Sequence, residues 1–202
     1  MRRPRSGQSL VEFAVILPVF VLFLLGMLEM DLAFGHHLTL EYATREGSRT
    51  GSGLANGGST NCLLGLDTKG IDPQIIAAVQ RVLKSPGSPI NLSAVSEIRL
   101  YRADASGNQV GGQVNVWGPA PGSGPDIDPG LGVDRLDFTQ RSSGWPVCSR
   151  SSGPNPDSIG VRLRYAYRFQ TPLGAVANMF SGQLQTLLTI DDKTVMALNP
   201  QN

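Results

Sequence analysis

The residue types that carry catalysis or bind metals are few in this sequence. The histidines, His36-His37, are adjacent, and adjacent helical residues point to different faces, so they make a poor metal site. The motifs Cys-x-x-Cys, His-Glu-x-x-His and Gly-x-Ser-x-Gly and the phosphate-binding loop do not occur in the sequence. No nucleophile or general base can be named. We therefore expect neither an enzyme nor a metal or cofactor site.

Two cysteines could form a disulfide, and two pairs of aspartates could bind calcium or form turns. Cys62 and Cys148 form an even pair, which predicts a disulfide in an oxidising compartment. Such a bridge would contribute roughly 4–5 kcal/mol in the chain-entropy model. The alternative is two free thiols whose side chains never meet. Asp126 and Asp128 miss the spacing of a calcium loop and are interpreted as turn formers, as is Asp191-Asp192.

Composition and charge narrow the class of protein. The net charge is +1, which gives no reason to expect nucleic acid as a partner. Apolar residues are 41% of the chain, enough for a core, and 24 glycines with 14 prolines predict many turns. The length of 202 residues fits one globular domain with attachments.

The strongest signal is an apolar segment near the start. No residue from Phe13 to Leu28 is charged, and extended back to Leu10 the segment would span about 28 Å as a helix, close to the roughly 30 Å of a bilayer core. Arginines precede the segment and acids follow it: Arg2, Arg3, Arg5, Glu29 and Asp31. Because positive charge stays on the cytoplasmic side, we predict a single-pass protein of the cytoplasmic membrane, with its N-terminus inside and its C-terminal domain outside.

A cleaved signal peptide is the main alternative to this anchor. Three features favour the anchor instead: the length of the apolar run, the acid Glu12 at its entry, and the lack of a small-x-small cleavage site after it. A buried helix of a soluble protein is disfavoured because the run is apolar around its whole circumference. Pro18, inside the run, predicts a local bend.

Glu12 is the most informative single residue, because a carboxylate at the edge of a membrane span is costly and often functional. The stretch from Gly7 to Phe13, Gly-Gln-Ser-Leu-Val-Glu-Phe, resembles the prepilin peptidase site of type IV pilins. That resemblance implies cleavage after Gly7, which leaves Gln8 as the new N-terminus and Glu12 as the fifth mature residue. The new amino group and Glu12 would then set the register of packed helices. The alternative is an interfacial acid without a role.

The helix pattern continues beyond the apolar run. Phe34, Leu38 and Tyr42 recur at four-residue spacing, which marks one face of a helix. The motif Ala-x-Arg-Glu-Gly-x-Arg follows, formed by Ala43, Arg45, Glu46, Gly47 and Arg49. Together with the motif at Gly7 and the Leu-Pro in the apolar run, it resembles the TadE-like minor pilins of the tight-adherence (Flp) pilus machinery.

The resemblance implies a fold, a role and partners. It implies a long N-terminal transmembrane helix that continues into a small α+β domain with an antiparallel sheet, and assembly of a pilus together with a prepilin peptidase and other pilin-like and Tad components. We expect a cytoplasmic leader at residues 1–9, a transmembrane helix at 10–31, its continuation at 32–50 and an extracytoplasmic domain at 51–202. The competing function is a membrane-anchored binding or adhesion domain that is not processed, with contact loops at 51–61 and 118–132.

The remaining sequence predicts one helix and several strands of this domain. Asp72 is expected to cap a helix that starts at Pro73, and strands are expected at 94–102, 113–117, 159–169 and 184–198. In the third strand Arg162, Arg164 and Arg168 share the polar face. This arginine row is either a solvated strand face or a site for an anion or a partner.

Overall fold

A long helix and a five-stranded sheet make up the fold, in a computed structural model that describes residues 7–54, 70–127, 135–175 and 188–199. The α+β class predicted from the sequence is confirmed. The chain divides into two compact units. The first contains Met1–Gly35 and Tyr167–Leu188, and the second contains His36–Ala166 and Thr189–Asn202.

The sheet has the order β3-β2-β1-β4-β5. Within the described residues, the strands of the sheet and the helices α1 and α2 have these bounds: α1 Gln8–Leu54, α2 Ile71–Leu83, β1 Val95–Ala103, β2 Gln109–Pro119, β3 Phe138–Ser143, β4 Ser158–Tyr167 and β5 Leu188–Ala197. The central strand β1 runs antiparallel to both neighbours, and its Ile98 lies opposite Trp117 of β2 and Leu163 of β4. In β4 the predicted alternation holds, because Val161, Leu163 and Tyr165 are buried between partly exposed polar residues.

Parts of the sequence prediction were wrong. Helix α1 runs through residues 51–54, where a loop was expected, whereas residues 55–61 lie outside the described part. Strand β3 was not predicted, because only Phe138 of its residues is buried and the rest of its pattern is polar. Asp191 and Asp192 do not form a turn but lie within β5, where arginine and hydroxyl partners bind their carboxylates.

Asp72 was expected to cap α2 but has another role. The helix begins at Ile71 with Gly70 as its N-cap, and the Asp72 carboxylate accepts hydrogen bonds from Arg150 Nη2 at 2.6 Å and from Asn115 Nδ2 at 2.6 Å. Arg150 also lies over the Trp145 ring, 4.6 Å from its centroid. The buried Asp72 carboxylate, paired with the Arg150 guanidinium and with Asn115, ties α2 to β2 and to the segment after β3.

Candidate functional site

The peptide bond predicted for cleavage lies where α1 begins. Gly7 is a turn residue immediately before the helix, its carbonyl accepts a hydrogen bond from Val11 N at 3.3 Å, and Gln8 is the first helical residue. Gly7 is exposed, and no non-neighbouring group of the described residues lies within 4 Å of the position a Cβ would take there. Within the described part of the chain, nothing therefore blocks this bond on the side of the missing side chain.

Glu12 and Phe13 follow within the next turn of α1. Both side chains are exposed, Phe13 by 63%. Glu12 lies four residues after Gln8, so the two positions are on the same face of the helix, about one turn apart. The helix therefore gives Glu12 the position that the processing hypothesis requires, and its role in register stays a prediction.

The surface of α1 beyond Glu12 is apolar and uncovered. Its most apolar window has a mean hydropathy of 2.6 and no buried residue, and within the described residues α1 is the helix long and apolar enough to cross a membrane. The large exposed side chains include Leu10, Ile16, Phe20, Phe23, Met27 and Met30. Pro18 lies inside the helix. A soluble protein would bury such a surface, whereas a lipid-facing helix exposes it.

Glu29 ends the apolar surface and is only 3% exposed. Its carboxylate accepts hydrogen bonds from the Tyr167 hydroxyl, from Gln170 N at 3.0 Å, from Thr171 N at 2.9 Å and from Thr171 Oγ1 at 2.5 Å. The sequence analysis used Glu29 only as one of the charges that follow the apolar segment. No local sequence pattern indicated the hydrogen-bond partners of Glu29, because Tyr167 is 138 positions away in the chain.

The small residues of the second motif pack inward. Ala43 and Gly47 are buried, and a Cβ on Gly47 would lie 2.6 Å from Val79 Cγ2 and 3.4 Å from Val161 Cγ1. Gly47 is therefore where α1 comes close to α2 and β4. The face predicted from Phe34, Leu38 and Tyr42 is the opposite, exposed one: these side chains are 61%, 38% and 63% exposed.

The charged residues of the same motif point outward. Arg45 pairs with Glu41, and Arg49 Nε lies 3.1 Å from Glu46 Oε2. The hydrogen bond from Arg49 lowers the pKa of the Glu46 carboxyl. Exposed helical pairs of this kind contribute only a few tenths of a kcal/mol, so the motif's contribution to stability lies in its small residues.

The two variable positions of the motif contact β5, which the sequence analysis missed. The Thr44 hydroxyl bonds the Asp192 carboxylate and lies 3.0 Å from Thr194 Oγ1, and Ser48 Oγ donates to the Thr194 carbonyl at 2.8 Å. One turn further, Ser52 Oγ donates to the Ala197 carbonyl at 2.5 Å. Hydroxyl residues at four-residue spacing are the signal that could have revealed this ladder.

The arginine row of β4 is paired within the sheet. Arg162 Nε donates to Asp191 Oδ1 at 2.6 Å, and Arg164 Nη1 lies 3.0 Å from Glu97 Oε1. The hydrogen bond from Arg162 lowers the pKa of Asp191. Acids of neighbouring strands thus neutralise these two arginines, which removes the basis for an anion site there, whereas Arg168 lies beyond β4 and is exposed.

The other candidate residues are not brought together by the described part of the fold. His36 is buried against Tyr165, with ring centroids 5.6 Å apart, and no group of three or more potential metal ligands forms among the described residues. Cys148 is exposed in the short 3-10 helix Val147–Ser149. Cys62 and Asp128 lie outside the described residues, so the disulfide stays a prediction.

An open groove of about 650 Å³ lies in the second unit. It runs between the end of α2 and the loop after β2, with the Lys84–Asp137 ion pair at 2.9 Å on its wall. Apolar and polar side chains alternate around it, among them Ile90, Leu92 and Asn91. Of the contact loop expected at 118–132, Pro121 lines this groove.

The two motifs of α1 are also what the chain shares with known proteins. The family model described as TadE-like protein matches residues 7–49, which confirms the resemblance over that segment. No curated protein and no solved structure matches the chain. The matched segment includes the apolar stretch of α1 that is long enough to cross a membrane. Over residues 7–49 the chain is therefore similar to TadE-like proteins.

Proposed function

We propose that this protein is a minor pilin-like subunit for assembly of Flp (tight-adherence) pili and a substrate of a prepilin peptidase. The observation that carries the proposal is the exposed Gly7 immediately before an apolar helix that begins at Gln8 and whose most apolar window has no buried residue. Cleavage there would remove residues 1–7 with their arginines and leave the apolar stretch of the helix intact. The TadE-like match over the same residues supports the pilus context, with other pilin-like and Tad components as partners.

Processing would give Glu12 a defined electrostatic role. A new α-amino group on Gln8 would add positive charge to a helix terminus that already carries a partial positive charge. Glu12, one turn along, offsets that charge in its own subunit or in a neighbour. At the membrane edge the attraction is stronger than in bulk water, so it favours one axial register of packed helices.

The proposed topology follows the charges that flank the helix. The arginines before Gly7 stay in the cytoplasm, and the domain that follows Asp31 lies outside the cytoplasmic membrane. We assign residues 1–9 to the leader, 10–31 to the span, 32–50 to its continuation and 51–202 to the outer domain. A disulfide between Cys62 and Cys148 suits that oxidising side.

A cleavage assay tests the proposal with a matched pair of glycines. Membranes that contain the full chain are incubated with a prepilin peptidase, and the product mass is measured. We expect loss of residues 1–7, no loss for Gly7→Val, and normal loss for Gly53→Val. Gly53 is the matched control because it is also exposed, and no non-neighbouring group of the described residues lies within 4 Å of its Cβ position. Uncleaved wild type, or cleavage of Gly7→Val at the same bond, contradicts the proposal.

The second candidate function is a membrane-anchored adhesion domain without processing. The groove near Ile90 and Leu92 supports it, since a concave surface with mixed polar and apolar lining suits a ligand. In that case the chain stays uncleaved and no pilus component co-purifies with it.

A further inference from the structure

The segment after β4 is unusual for a connection between two strands. From Phe169 to Ile190 the sequence contains no charged residue, although surface connections are ordinarily polar. Within the described part of this segment, Phe169 and Leu173 are half-buried and Ala175 is exposed. Arg168, immediately before it, is an exposed cation. The pilus function proposed above does not account for this composition.

Glu29 holds this segment to the apolar helix. Four donors from Tyr167, Gln170 and Thr171 bind the one carboxylate, and all belong to the same compact unit as Glu29. The residues on either side of Glu29, Leu28 and Met30, expose apolar surface, by 53% and 72%.

The position of Glu29 relative to the membrane determines the position of the segment that follows β4. Glu29 lies only two residues before Asp31, the predicted end of the span, which is about 3 Å along the helix axis. A carboxylate at the edge of the hydrocarbon is costly unless hydrogen bonds satisfy it. The donors that satisfy it come from residues 167–171, so these residues must lie at the membrane boundary wherever the helix crosses it.

We propose that the segment at Tyr167–Ala175 is a second membrane contact, which rests on the outer lipid surface beside the helix. Phe169 and Leu173 supply apolar side chains for the interface, and the Arg168 guanidinium suits lipid phosphate groups. The segment itself contains no acidic residue, so it adds no repulsion from anionic headgroups. The contact adds a surface anchor to the transmembrane one and limits tilting of the helix. It rests on the proposed topology, in which α1 crosses the membrane.

Photocrosslinking to lipid tests this contact in the full chain. Benzoylphenylalanine is placed at Leu173, and separately at Ala175, in vesicles of phosphatidylcholine with a minor fraction of phosphatidylglycerol. Phe20 within the apolar helix is the positive control, and Arg141, exposed on β3, is the negative control. We expect lipid adducts at Leu173 and Ala175 at a yield several-fold above that at Arg141.

The controls separate two kinds of failure. Yields at both test positions no higher than at Arg141, with strong adducts at Phe20, overturn the surface contact and leave the span intact. Adducts to a second protein copy in place of lipid also overturn it, since they identify a subunit contact. A lack of lipid adducts at Phe20 refutes the membrane span itself, and with it the surface contact.

Discussion

The Glu29 carboxylate accepts a hydrogen bond from the Tyr167 hydroxyl, although the two residues are 138 positions apart in the chain. The same carboxylate binds the backbone of the turn that follows, at Gln170 and Thr171. One acidic residue at the end of an apolar helix thereby orders the beginning of an uncharged segment. Its removal would leave several donors without an acceptor.

Glu29→Gln should loosen this turn. The amide offers one acceptor in place of a carboxylate that serves four donors, which should weaken the local structure by about 1–3 kcal/mol. Hydrogen exchange at the Gln170 and Thr171 amides should then accelerate roughly 10- to 100-fold. Asp31→Asn, a change at an exposed position, is the control and should leave both amides unchanged. Equal exchange in wild type and Glu29→Gln would show that the turn is held by other contacts.

Gly47→Val should destabilise the domain through overpacking. A Cβ at this position lies 2.6 Å from Val79 Cγ2, so we expect a loss of about 1–3 kcal/mol in the free energy of unfolding, measured by urea titration of the full chain in detergent. Val79→Ala in the same chain should recover part of that loss. Gly53→Val should be nearly neutral, because no non-neighbouring group of the described residues comes within 4 Å of the Cβ position there. Equal effects at Gly47 and Gly53 would refute the packing role of the motif.

The hydroxyl residues at the two variable positions of the second motif should contribute more to stability than the charged residues of that motif. Thr44→Val and Ser48→Ala each remove hydrogen bonds to β5 and should each cost about 1 kcal/mol of unfolding free energy. Arg45→Ala removes only an exposed ion pair and should cost less than about 0.5 kcal/mol. The same urea titration ranks the three variants. A larger loss from Arg45→Ala than from the other two would reverse this assignment.

The Asp191–Arg162 pair should contribute a pH-dependent part of the stability. Because folding lowers the pKa of Asp191, the pair stabilises the fold fully above the unfolded pKa and loses its effect as the pH falls through the folded one. Unfolding free energy should therefore fall below about pH 4. Asp191→Asn and Arg162→Met should each reduce the slope in that range and leave it unchanged near neutral pH. An unaltered acid slope in both variants would contradict the pairing.

The sequence predicted best those features that depend on local periodicity. The long N-terminal helix over the apolar run and the alternation of β4 follow from patterns that the surroundings impose directly, and the structure has both. The sequence prediction failed where a contact with a distant residue determines the local structure. Asp72 binds Arg150 instead of capping its own helix, Asp191 pairs with Arg162 instead of forming a turn, and β3 exists because β2 offers an edge to pair with.

In the candidate site, too, some features could be named from the sequence and others needed the fold. Gly7, Glu12 and the motif residues from Ala43 to Arg49 were named from the family resemblance, and their roles in processing and assembly stay predictions. The inward and outward faces of that second motif needed the fold, because nothing local shows that Gly47 meets Val79 and Val161. The partners of Glu29 likewise needed the fold.

The N-terminus of the mature protein, determined by intact mass and N-terminal sequencing after extraction from the membranes of its native host, tests the central claim most directly. Our account predicts a chain that begins at Gln8 and keeps the apolar helix. A chain that still carries Gly7 and the arginines before it would contradict prepilin-type processing and favour the adhesion domain. A chain that begins beyond Leu28 would contradict the membrane anchor as well.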